Sequence, residues 1–139
     1  AFRVRALGAS GLTSEWATAT TVIPTRTHVD GGRYRGHWRL APVREAWEGH
    51  ALIGSKGATF TLAYVGGALA IIGDVWPQGG RARVTLDGRS RTISFHSSRA
   101  HARAVLYRAP VAAGSHRLTI HVLSGTVPFE ALAITNRLR

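Results

Sequence analysis

The sequence has no cysteine and no methionine, and the first absence excludes a disulfide framework and any thiolate-held metal centre. No apolar run approaches the roughly 18 residues that a membrane-crossing helix requires, so no membrane span is expected. Acids are scarce: seven Asp and Glu stand against 18 Lys and Arg, for a formal net charge of +11. Lysine is scarcer still, because Lys56 is the sole one and every other fixed positive charge is an arginine. Glycine, by contrast, numbers 16, and hydrophobic residues make up 45% of the chain, which together indicate a globular, turn-rich protein. At 139 residues there is room for one domain with a real core, or one domain plus a fragment.

Catalytic chemistry is also missing. No serine sits in a G-x-S-x-G turn or another strained nucleophile setting. The histidines (28, 37, 50, 96, 101, 116 and 121) are scattered, and neither His96 with His101 nor His116 with His121 brings the further ligands of a zinc site. Asp74 and Glu130 are the two acids in apolar settings, and a glycosidase would need such a pair across a cleft. No catalytic residue, no metal ligand and no enzymatic activity are therefore expected. No cofactor is read from these residues either, and a structural calcium ion is left open.

What is present is organised around Gly57 to Gly88. Phe60, Leu62 and Tyr64 alternate with Thr59, Thr61 and Ala63, the period of a half-buried strand. After Gly66-Gly67, Ala68 to Ile72 is apolar throughout, which fits a strand buried on both faces. Gly73 to Gly80 reads as a loop carrying Asp74, Trp76, Pro77 and Gln78. A further strand alternates through Ala82, Val84 and Leu86 into Asp87-Gly88, residues suited to the positive φ of a tight hairpin turn.

Taken in order, residues 1–24 read as two strands around a Gly/Ser loop, residues 25–33 as a polar linker, and residues 34–139 as a second unit. Tyr34, Gly36 and Trp38 are placed on one inward strand face, and 41–57 is read as irregular. Short strands follow over 92–95, 102–108, 116–123 and 129–135. About eight strands at roughly 8–12-residue spacing make an all-β, antiparallel two-sheet sandwich. Phe60, Leu62, Ala70, Ile72, Val84, Leu86, Ile93, Leu118, Ile120 and Ile134 are its expected core.

The segment FRVRALGASGLTSEWATATTVIP resembles the last two strands of a fibronectin type III domain, with Trp16 as the packing residue at its end. From Tyr34-x-Gly36-x-Trp38 and Gly57 to Leu62, through the Ala82 to Gly88 hairpin, to Ala113 to Ile120 and Phe129 to Ile134, the chain resembles jelly-roll, galactose-binding-like modules. These are appended to secreted bacterial enzymes and surface proteins. The resemblance implies a C-terminal part of a longer modular protein, exported or at the cell surface, although no signal peptide is visible here. It implies a glycan or cell-surface polysaccharide as partner, alongside other domains of the same polypeptide, and not nucleic acid.

Sugar rings stack their C–H faces on aromatic side chains while polar neighbours read the hydroxyls. Trp76, flanked by Asp74 and Gln78, fits that pattern and reads either as a ligand contact or as a loop anchor. Trp47, between Glu45 and Glu48, is the second aromatic candidate. The alternatives to a sugar site are a structural or protein-interaction spacer, and a polyanion-binding surface made by the dispersed arginines.

Overall fold

The computed structural model describes residues 32–135 continuously, together with Ser14 and three short upstream strands. β1 (Phe2–Val4) and β2 (Ala17–Ala19) pair antiparallel as a two-stranded sheet of their own. Trp16 lies outside the described residues. β3 (Pro24–Arg26), at the start of the stretch read as a linker, pairs with Ala131–Ala133 as an added strand of the sandwich.

Two antiparallel sheets face each other. One has the order β10 (Arg89–Ser94), β9 (Arg81–Leu86), β12 (Gly114–Ser124), β7 (Thr59–Gly66), β4 (Arg33–Arg35). The other has the order β11 (His101–Ala109), β8 (Leu69–Val75), β13 (Thr126–Ile134), β6 (His50–Ser55), β5 (Trp38–Pro42), with β3 beside the end of β13. Among the described residues the helical content is a single 3-10 turn, Trp47–Gly49.

The alternation in β7, β9 and β12 is what sets their register, since a one-residue slip would turn the buried set to solvent. Phe60 and Leu62, then Val84 and Leu86, then Leu118, Ile120 and Val122 point into the core. From the other sheet Leu69, Ile71, Val127, Phe129 and Leu132 meet them. Asp87 (φ 50°) and Gly88 (φ 81°) make the two-residue hairpin turn between β9 and β10. The Asp87 carboxylate also accepts the Arg117 N–H at 2.8 Å and meets His116 Nδ1 at 2.6 Å.

The central stretch is not one sheet. β7 and β9 lie in one sheet, on either side of β12, whereas β8 between them in sequence crosses to the other. In β8 the inward residues are Leu69 and Ile71, so Ala70 and Ile72, expected inside, face outward and are half-buried, as is Ile134 at the end of β13. The other seven expected core residues are buried.

Tyr34 and Trp38 do not share a strand face. Gly36 (φ +81°) breaks the chain into β4 and β5 on different sheets, where a side chain at 36 would meet Ala58 Cα at 2.9 Å. Both rings still pack against the core. The stretch read as irregular contains β6, whose Ala51 to Gly54 are all buried. Gly79 and Gly80 allow close backbone crossings: a Cβ at either would collide with a carbonyl oxygen, that of Phe95 or of Ser124 respectively.

Candidate functional site

The expected loop at Asp74 is the end of β8, and two β-bulges flank it. On one side, pairing jumps from His101↔Val75 to Ala104↔Gly73, so Ala102 and Arg103 together oppose Asp74, with Arg103 at φ 59°. On the other, pairing jumps from Phe129↔Gly73 to Ala131↔Ile72, which makes Glu130 the extra residue of β13. Bulges twist a strand and re-aim side chains. Here they bring two carboxyl groups together on the outer face of the six-stranded sheet, opposite the inward Leu69 and Ile71.

The segment 43–49 covers that face, and Glu130 fastens it. The Trp47 N–H donates to Glu130 Oε2 at 2.6 Å, and the Arg103 N–H donates to Glu130 Oε1 at 2.7 Å. Both Glu130 oxygens are thus committed, and its side chain is 1% exposed. Charge-assisted bonds of this kind from backbone amides are among the stronger hydrogen bonds in a protein.

Asp74 is 3% exposed, and neither of its oxygens meets a donor while it is ionised. Burial first, and then the Glu130 carboxylate beside it, push its pKa up to about 8. At neutral pH Asp74 therefore holds a proton, which gives it a hydrogen to donate to Glu130 and removes the cost of a second buried charge.

Trp76 follows directly. It is half-buried, bridges His96 in the backbone, and its indole Nε1 is enclosed without a partner. Asp74, Val75 and Trp76 form one side of a pocket of about 210 Å³. Val43, Arg44 and Glu45 form a second side, and Ala100, His101 and Ala102 the third. A contiguous depression continues along Glu45, His101, Ala102 and Arg103.

The structure thus brings Asp74 and Trp76 to one pocket, with Asp74 beneath rather than on the surface. Gln78 is exposed on the turn beyond Pro77 and does not line it. Trp47 does not line it either; its contribution is the backbone N–H that holds segment 43–49 in place. Arg44, Glu45 and His101, which the sequence did not mark as binding residues, supply the polar rim.

Calcium takes six to eight oxygen ligands; among the described residues no group of three or more His, Asp or Glu gathers as a metal site, and the two Glu130 oxygens are engaged by backbone N–H groups.

No family model matches the sequence, and no curated protein does either. Solved structures do. The module CsCBM6-3 from Clostridium stercorarium, solved in complex with cellobiose, superposes with a TM-score of 0.52 at 12% identity, over 83% of this chain and 94% of its own. A family 35 carbohydrate-binding module from Clostridium thermocellum gives a TM-score of 0.55 at 11% identity, over 81% of this chain and 99% of its own. The fold is a jelly roll. A family two carbohydrate esterase from Cellvibrio japonicus gives 0.59 at 16% identity over 84% of this chain, which spans about a third (34%) of the esterase. At such identities the likeness is one of fold.

Among the described residues, no helix is long and apolar enough to cross a membrane.

Proposed function

We propose that the sandwich is a non-catalytic carbohydrate-binding module of a larger exported bacterial protein, and that its sugar site is the pocket beside Trp76. Residues 1–24 are then the end of a fibronectin type III-like spacer, and 34–139 the binding module. The observation that carries the proposal is the composition of the pocket: Trp76 beside the buried Asp74 carboxyl, with Arg44, Glu45 and His101 around it. That is one apolar aromatic surface with a few convergent polar groups, the combination by which a saccharide ring is held and oriented. The volume of about 210 Å³ is below the roughly 300–1,000 Å³ of sites for drug-sized ligands, and it suits a single ring at the end or side of a chain. The small jelly-roll neighbours named as carbohydrate-binding modules support the same class.

One observation favours a second proposal, a structural spacer in which Trp76 anchors the turn that follows β8: its Nε1 is enclosed rather than presented. Trp76→Ala separates the two. For a sugar contact, calorimetry against a panel of plant and bacterial oligosaccharides should show affinity weakened about tenfold or more, with a melting temperature close to wild type. A large fall in melting temperature, together with no glycan bound by the wild type, would favour the anchor.

A further inference from the structure

The outer face of the five-stranded sheet lies on the other side of the sandwich from the pocket. The registers place Arg35, Thr59, His121, Arg83 and Thr92 in one row across it, and Arg33, Thr61, Thr119, Thr85 and Ser90 in the next. Arg33 and Arg35 on β4 and Arg117 on β12 stand on either side of β7, two strand spacings or about 10 Å apart. Together with Thr59, Thr61 and Ala63 they line a trough of about 470 Å³.

Among the described residues, the charge on this face has one sign. Glu45, Glu48, Asp74 and Glu130 all belong to the opposite side, in β8, β13 or the segment that covers them. Asp87 stands at the border in its hairpin turn, engaged by His116 and the Arg117 N–H. Among the described residues no acidic side chain occupies the rows themselves.

We infer that this trough is a second binding site, for an acidic polysaccharide whose carboxylate or sulfate groups are clasped by Arg33, Arg35 and Arg117. Guanidinium forks match such planar or tetrahedral oxyanions in two-point contacts. The threonine hydroxyls of the floor both donate and accept, as a hydroxyl-rich chain requires. No Phe, Tyr or Trp stands in the rows, so the face lacks the stacking platform used for neutral sugars and for single-stranded nucleic acid. Among the described residues no helix stands on this face to enter a duplex groove. The choice of a glycan over a duplex rests on the carbohydrate-binding role proposed above; the anion site itself does not.

The test uses polygalacturonate and dextran sulfate, with neutral dextran and duplex DNA as counter-ligands, at low and at raised salt. Wild type should bind at least one of the two acidic polymers, with affinity falling as salt rises. Arg33→Gln/Arg35→Gln/Arg117→Gln should lose on the order of tenfold or more and flatten that salt dependence. A charge-matched control, Arg89→Gln/Arg99→Gln/Arg108→Gln, should retain binding, and Trp76→Ala should leave it unchanged, which keeps this site distinct from the pocket. Thermal melts confirm that both triple variants fold. Equal loss in the two triple variants would overturn the trough as a site in favour of net charge. Duplex DNA bound as tightly as either glycan would overturn the ligand class, and no binding to either acidic polymer would overturn the proposal altogether.

Discussion

Trp38→Ala should lower the stability of the sandwich by about 3 kcal/mol, or roughly 10–15 °C in melting temperature. The ring is only half-buried, yet it closes the edge where the chain passes from β4 in one sheet to β5 in the other. It lies flat on β6, so closely that a Cβ at Gly54 would come within 2.8 Å of it. Its Nε1–H is shared between Arg35 O and Thr59 O, each at 3.1 Å. It also begins an aromatic chain that runs through both sheets. Trp38 meets Tyr34 edge-on at 5.5 Å, Tyr34 meets Phe60 at 4.8 Å, and Phe60 meets Phe129 at 5.4 Å. Truncation removes the first member and leaves the flank of Tyr34 open. Trp38→Phe, which keeps a ring but no N–H, should cost only about 1 kcal/mol. Denaturant unfolding of the two variants checks this; equal small losses in both would mean that the edge is closed by other groups.

Asp74→Asn should change stability little below about pH 4 and stabilise the protein by a margin that grows with pH up to about 8. Because the folded pKa is raised from 3.8 to about 8, the folded state binds a proton that the unfolded state has already released. Stability therefore falls as pH rises between those values, at about 1.4 kcal/mol per unit, and levels off above the folded pKa. Asn keeps an N–H donor for Glu130 and cannot ionise, so this slope disappears. His116 adds a slope of the same sign: its hydrogen bond to Asp87 raises its pKa, so its contribution is complete below its ordinary value of 6.5 and is lost as pH rises through the raised one. The informative quantity is the difference in melting temperature between wild type and Asp74→Asn at each pH, in which His116 cancels. A difference that grows from pH 5 to pH 8 is expected. A constant difference would mean that Asp74 is ionised throughout.

The strands legible in the sequence are those with one polar face. Phe60 and Leu62, Val84 and Leu86, and Leu118 and Ile120 alternate with Thr and Arg because the outer face of their sheet is in water. β8 and β6 are covered on both sides. Their apolar runs have no alternation to fix a register, so Leu69 and Ile71 could not be told from Ala70 and Ile72, and Ala51 to Gly54 went unread. Asp74 read as a loop residue because a lone acid after an apolar run normally marks the way out to solvent. Its burial depends on two bulges, at Arg103 and Glu130, set by pairing partners far apart in sequence. Trp47 was marked for its indole but acts through its backbone N–H, which every residue except proline carries. The arginines look dispersed along the chain, and only strand order gathers Arg33, Arg35 and Arg117 around one trough.

The most direct test of the carbohydrate-binding account is an amide chemical-shift map of the 15N-labelled protein, titrated with the tightest neutral oligosaccharide from the panel. The account predicts saturable shifts confined to 43–45, 74–76 and 100–102, the three sides of the pocket, with the Trp76 indole N–H among the largest and the Thr59, Thr61 and Arg117 amides unmoved. Saturable shifts centred on any other surface, or no neutral saccharide that shifts the Trp76 indole at all, would contradict it.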